Sequence, residues 1–280
     1  MRQFFFTMKT NRDSFIGVFD SGVGGLTLLP ALQFILPHEQ FLYVSDDAHA
    51  PYGGKSKEEI TERCNIVVQS LIDKGCKIII VACNTATTNA IETLRATYSI
   101  PFIGIEPAIK PAALKSKTKV VGVLATQGTL SSALFAKTSA AFTQDILVIE
   151  QIGSGLVEAI ETGSLDNPEL TKLVRSYINP MLEQEMDTLV LGCTHYPFLL
   201  PLLEKILPSN IQIIDSAEAV AKQTHRILEK NSTDLPNQRN RKYSVFQFCK
   251  KLNIDAFYSK RNRNTVAYLE SVLNQLEYIK

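Results

Sequence analysis

Short, almost wholly apolar runs rich in β-branched residues recur along this chain, separated by longer stretches of helical period. That alternation constrains the fold more than any other feature. Apolar runs of about four to eight residues suit strands buried on both faces, and such strands belong to parallel sheets crossed over by helices. We place strands at Phe15 to Asp20, Gln40 to Ser45, Cys76 to Ala82, Pro101 to Ile105, Lys119 to Ala125, Asp145 to Glu150, Asp187 to Gly192, Ile211 to Asp215 and Tyr243 to Phe248. One helix starts at Ser56, where Ser56-Lys57-Glu58-Glu59 has capping-box spacing, and stops at Gly75. Asn167-Pro168-Glu169 marks another start, with proline at the first helical position. The predicted fold class is α/β, doubly wound, with mainly parallel sheets.

Parts of the chain echo one another. Gly17-Val18-Phe19 precedes its loop as Gly122-Val123-Leu124 precedes Ala125-Thr126-Gln127, 105 positions later (122 − 17), and Cys193 follows Cys83 by 110 (193 − 83). Similar offsets suggest a duplicated α/β unit. The expected organisation is two similar domains, 1–111 plus 222–280 and 112–221, with a site in the cleft between them. Folds of this kind bind ligands at the carboxyl ends of their strands. Three strands end in polar or reactive residues there: Asp20-Ser21-Gly22, Cys83-Asn84-Thr85 and Cys193-Thr194-His195. The turn Pro51-Tyr52-Gly53-Gly54 follows the second strand and precedes the capped helix.

Composition narrows the partners. Twenty-nine basic and 28 acidic residues leave a formal charge of +1, so no whole-chain field recruits nucleic acid or an anionic membrane. The apolar runs are far shorter than the ~20 residues that span a bilayer, and Phe4-Phe5-Phe6 is too short for the roughly 7–15 residue core of a secretory signal. A cytoplasmic location is expected. The five cysteines are odd in number and include no CxxC pair, so a disulfide framework is not expected. Buried free cysteine is ordinarily a small hydrophobe, which is the reading of Cys64, Cys76 and Cys249.

Cys83 and Cys193 call for a different reading, because polar residues follow each of them directly. A cysteine between a strand and a helix start meets unpaired amides and the positive end of the helix dipole. Its thiol pKa is then expected to fall toward neutrality. Two such thiols facing one substrate from opposite sides suit inversion at carbon: one removes a proton and the other returns one to the opposite face, with no metal or hydride carrier required. Asp20 is placed to assist Cys83, and His195 to assist Cys193.

Two rival sites stand beside this one. Gly22-Val23-Gly24-Gly25-Leu26-Thr27 after a strand is an imperfect dinucleotide-binding turn, with Asp46 and Asp47 about where a ribose-binding acid falls. Cys193, His195 and Cys83 are a conceivable but incomplete zinc set.

The motifs taken together resemble the cofactor-independent glutamate racemases of the aspartate/glutamate racemase superfamily. The segments that carry the resemblance are Phe19-Asp20-Ser21-Gly22-Val23-Gly24-Gly25-Leu26-Thr27, Ala50-Pro51-Tyr52-Gly53-Gly54-Lys55-Ser56, Val81-Ala82-Cys83-Asn84-Thr85-Ala86, Gly104-Ile105-Glu106-Pro107-Ala108, Gly122-Val123-Leu124-Ala125-Thr126, Leu191-Gly192-Cys193-Thr194-His195-Tyr196-Pro197 and Ile214-Asp215-Ser216-Ala217. They run in the family's order from about residue 15 to 225. The resemblance implies interconversion of L- and D-glutamate for peptidoglycan, without a cofactor or metal. It makes Cys83 and Cys193 the acid/base pair, acting on the D and L enantiomers respectively, with Asp20 and His195 assisting. Asp20, Ser21, Tyr52, Gly53, Asn84, Thr85, Thr194 and His195 match substrate-binding positions. Many members carry a Cys-Pro-Leu segment followed by an assisting glutamate. Here the corresponding stretch reads Gln151-Ile152-Gly153-Ser154-Gly155-Leu156-Val157-Glu158-Ala159-Ile160-Glu161-Thr162-Gly163, and Glu161 is the better match for the glutamate, with Glu158 left open. Aspartate or another acidic amino acid is the alternative substrate, and a silent binding protein the alternative class. The expected partner is the small-molecule substrate, not nucleic acid or membrane, and a homodimer is left open. From Asn231 through Arg239-Asn240-Arg241-Lys242 to Lys280 the resemblance is weak, and those basic residues read as a solvated linker before a closing helix over Thr265 to Tyr278.

Overall fold

The structure, a computed structural model, describes residues 14–142, 145–163, 165 and 167–231. Two parallel four-stranded sheets form its frame. The first comprises β1 (Ile16–Asp20), β2 (Phe41–Ser45), β3 (Ile78–Val81) and β4 (Phe102–Gly104) in the order β2-β1-β3-β4. The second comprises β5 (Val120–Ala125), β6 (Leu147–Ile152), β7 (Thr188–Gly192) and β8 (Gln212–Ile214) in the order β6-β5-β7-β8. The order repeats from one sheet to the next. The expected strands within the described residues all form; Tyr243–Phe248, the helix over Thr265 to Tyr278, Cys249 and the basic run Arg239–Lys242 lie outside them.

The central strands are buried, apart from Val120 at the start of β5, as in β3, whose Ile-Ile-Ile-Val has no exposed residue. The edge strand β6 instead leaves Leu147 and Ile152 partly in solvent. Helix α1 (Leu29–Ile35) follows the glycine-rich turn after β1, and α2 (Lys57–Asp73) connects β2 to β3. In α2 the Ser56 hydroxyl accepts from the Glu59 amide and the Glu59 carboxylate accepts from the Ser56 amide; such a cap stabilises a helix by about 1 kcal/mol. Gly75 just past its end sits at φ +79°, a left-handed conformation that favours glycine. Helix α3 (Asn84–Thr97) follows β3, α4 (Ile109–Lys115) leads into β5, and α5 (Gln127–Leu130) and α6 (Ala133–Ala140) follow it. Beyond β6 come α7 (Leu156–Glu161) and α8 (Pro168–Glu183), the latter capped by Asn167, whose side chain accepts from the Glu169 amide. Helix α9 (Leu200–Ile206) precedes β8, and α10 (Ala217–Asn231) returns to pack on α1. One apolar core runs through both halves, joining Ile16, Val18 and Ile80 of the first sheet to Leu124, Leu189 and Leu191 of the second. No helix of the described residues is long and apolar enough to cross a membrane.

The entry to β5 depends on one carboxylate. Asp187 accepts from the Ser116 hydroxyl at 2.7 Å and from the amides of Lys117 and Thr118 at 2.6 and 2.9 Å. Partial burial opposes its ionisation, but these donors outweigh it and hold the carboxyl down to about 2. A depressed carboxyl pKa contributes stability that is present above the unfolded value, near 3.9, and is lost as pH falls through the folded one. Asp187→Asn is therefore expected to cost on the order of 1 kcal/mol at pH 7, a figure reduced for solvent screening. In urea unfolding the deficit should shrink as the pH approaches 2, and a deficit constant with pH would exclude this origin.

Candidate active site

In each sheet the chain reverses its direction of winding between the two central strands, and the site lies at the carboxyl ends of those pairs. In the first sheet β1 ends in Asp20 and β3 runs through Ala82 to Cys83; in the second, β5 leads to Thr126 and β7 to Cys193. A cavity of about 200 Å³ brings these ends together, lined by both thiols and by Ser21, Tyr52, Gly53, Asn84, Thr85, Thr194 and His195 among others. That volume lies below the ~300–1,000 Å³ of drug-sized sites and suits a small metabolite.

Cys83 caps α3: the Ala86 amide donates to its Sγ at 3.4 Å, and the Ser21 hydroxyl lies 3.5 Å away. The expected fall in its pKa does not occur. Burial pushes the thiol up to about 12 and the neighbouring Asp20 adds to the rise, against the smaller effects of the Ala86 and Ser21 contacts. One capping amide does not compensate for removing a thiolate from water beside a carboxylate.

Cys193 also departs from the expected strand-to-helix junction. A turn and a short 3₁₀ segment, Tyr196–Leu199, follow it, and α9 begins only at Leu200. Pro197 lacks an amide hydrogen and cannot donate to a helical ladder. The neighbour of Cys193 is a side chain instead: His195 Nδ1 lies 3.8 Å from its Sγ. On the other side of the ring, Nε2 lies 2.6 Å from Glu161 Oε1 at the end of α7. Burial alone would lower the imidazole pKa, but the contacts with Cys193 and Glu161 outweigh it and raise the pKa well above its ordinary value. Glu161 also accepts from the Val23 amide at 2.8 Å. Glu158 lines the cavity and makes no such contact with His195.

Asp20 joins the two halves. It is wholly buried and accepts from the Gly22 amide at 2.8 Å and from the Thr194 hydroxyl at 2.9 Å. Burial raises its pKa to about 6, although His195 and the Gly22 amide pull it down. Asn84 is almost wholly buried, lines the cavity, and has a side-chain nitrogen with no partner among the described residues. Thr85 shares a 2.8 Å hydroxyl contact with Thr126 across the cleft. Sequence reasoning did not assign Thr126; the repeat would have found it, because Thr126 follows β5 as Ser21 follows β1.

The glycine turn has no room for a dinucleotide. Side chains of this protein already fill the space beside it: a Cβ on Gly22 would collide with Glu161, and one on Gly24 with His195 and Thr194. Asp46, the would-be ribose acid, is held by Arg63 and Tyr52. Among the described residues no three His, Cys, Asp or Glu side chains gather where they could hold a metal ion.

Two matched sheets, each presenting a thiol to one shared cavity, make up the architecture of a two-domain α/β racemase. The family model for Asp/Glu/Hydantoin racemase matches residues 28–224. Glutamate racemase from Ectopseudomonas mendocina (strain ymp) is 50% identical over 214 residues, 76% of this chain and 81% of that protein. Among solved structures, the Escherichia coli glutamate racemase in complex with L-glutamate and the activator UDP-MurNAc-Ala superposes with TM-score 0.71 at 32% identity, covering 81% of this chain and 86% of that one. The Francisella tularensis glutamate racemase in complex with D-glutamate gives 0.70 at 31%, covering 83% and 87%. The chain belongs to the glutamate racemase family.

Proposed function

We propose that this chain interconverts L- and D-glutamate through Cys83 and Cys193, supplying D-glutamate for peptidoglycan in the cytoplasm. The observation that carries the reading is the meeting of the two thiols at one cavity, one from each sheet and each with its own partners. Among the described residues neither Lys nor Arg lines that cavity, so substrate carboxylates fall to hydroxyls, amides and the Asn84 side-chain nitrogen. Burial and Asp20 hold Cys83 as a thiol; a substrate ammonium group beside it favours the thiolate, and the Asp20 carboxylate takes the proton. On one face the Cys83 thiolate takes the Cα proton and becomes a thiol, and on the other the Cys193 thiol gives its proton to the carbanion. The enzyme is left with the opposite thiolate, ready for the reverse passage. His195, polarised by Glu161, exchanges a proton with Cys193, and Asp20 serves Cys83. The domains are proposed as 1–111 plus 222–280 and 112–221, and a homodimer is compatible with this reading.

In D₂O without added cofactor, the purified protein is expected to invert both glutamate enantiomers and to introduce deuterium at Cα. A chiral assay run alongside with L-aspartate checks the substrate. Faster inversion of aspartate would overturn the glutamate assignment, and binding without deuterium uptake would overturn the enzyme.

A further inference from the structure

Tyr52 lines the cavity, and its hydroxyl donates at 2.6 Å to Oδ2 of Asp46, a residue outside that lining. Asp46 follows β2 and is 7% exposed. Its amide donates to the carbonyl of Asp20 at 3.0 Å, beside the candidate acid. Arg63 of α2 donates to both carboxylate oxygens, Nη2 to Oδ1 at 2.7 Å and Nε to Oδ2 at 2.9 Å, and His49 Nδ1 lies 3.0 Å from Oδ1. Such a bidentate ion pair fixes direction as well as distance. Tyr52 is wedged edge-on against Phe19, with ring centroids 6.4 Å apart, and is almost wholly buried. The next residue, Gly53, reaches across the cleft: its carbonyl accepts from the Gly128 amide at 3.1 Å, and a Cβ at Gly53 would stand 3.3 Å from Thr126. A chain of contacts thus runs from α2 through Arg63, Asp46 and Tyr52 to the two sides of the cavity.

We propose that Asp46, aligned by Arg63, is a positioning residue that acts through the Tyr52 hydroxyl to hold the Pro51–Gly54 turn against the substrate. This rests on the racemase reading above and assigns Tyr52 a partner other than the substrate. Neither Asp46 nor Arg63 lines the cavity, so their effect must pass through the turn.

The test is a double-mutant cycle with Asp46→Asn, Tyr52→Phe and the pair, assayed with both enantiomers alongside thermal unfolding. Each single variant is expected to raise KM roughly tenfold, with kcat changed less than about twofold, because a displaced turn weakens binding before it touches proton transfer. The double variant should be no worse than the worse single one. Arg63→Ala should show the same rise in KM, and added guanidinium should lower it again. Tyr52→Phe raising KM by the same factor with or without Asp46 would overturn the proposal, since the hydroxyl would then act on substrate directly. So would an unchanged KM in folded Asp46→Asn or Arg63→Ala. Failure of the unaltered protein to racemise glutamate would instead overturn the racemase reading.

Discussion

Cys83→Ser and Cys193→Ser should each lower racemisation by roughly 10²–10⁴-fold, the range removed with a general acid or base. A serine hydroxyl keeps the shape of the site but ionises far less readily than a thiol, and burial already pushes the Cys83 thiol up to about 12. The two losses should differ in what they leave behind. With Cys193 replaced, Cys83 and its Asp20 partner remain able to exchange the Cα proton of the enantiomer they face, so deuterium enters D-glutamate without inversion. With Cys83 replaced, the pairing of Cys193 with His195 leaves the same one-sided exchange on L-glutamate. Cys64→Ser is the control: Cys64 is wholly buried in α2 and lines no part of the cavity. Full activity in either of the first two variants would end the two-thiol mechanism, and loss of inversion in Cys64→Ser would show that the assay reads folding.

The strands were legible because burial on both faces leaves a continuous apolar run, and within the described residues each forms within two positions of its expected bounds. The caps of α2 and α8 were legible too, since each is a local pattern of side chain and amide. Burial and long-range approach were not. The rise in the Cys83 pKa comes from its depth and from Asp20, 63 positions away (83 − 20). The glycine turn looked like a phosphate cradle because sequence shows only that side chains are missing there. The fold adds that Glu161, Thr194 and His195 occupy the space, brought in by α7 and the turn after β7. Tyr52 matched a substrate-binding position, but no motif showed that its hydroxyl turns back to Asp46, six positions earlier just past the end of β2.

That filled space sets the second large effect. In Gly24→Ala the new methyl group would run into His195 Nδ1 and the Thr194 hydroxyl. Neither can swing away cheaply: His195 is fixed by Glu161 on one nitrogen and meets Cys193 on the other, while Thr194 donates to Asp20. Overpacking of this kind costs about 1–3 kcal/mol of stability, and a shift of about 1 Å in a proton-transfer group is enough for roughly a 10²-fold loss in rate. The variant is expected to fold with a lowered Tm and to lose about two orders of magnitude in kcat. Gly17→Ala separates the two consequences. A Cβ there would press on Cys76 Sγ at 3.1 Å and on Leu71 at 3.2 Å, inside the core of the first sheet and away from the cavity, so Tm should fall while kcat of the folded protein is retained. Equal kcat in Gly24→Ala and Gly17→Ala would mean that the glycine turn serves packing alone; a loss confined to Gly24→Ala means that this turn is glycine-rich because His195 and Thr194 must pass so close to the backbone.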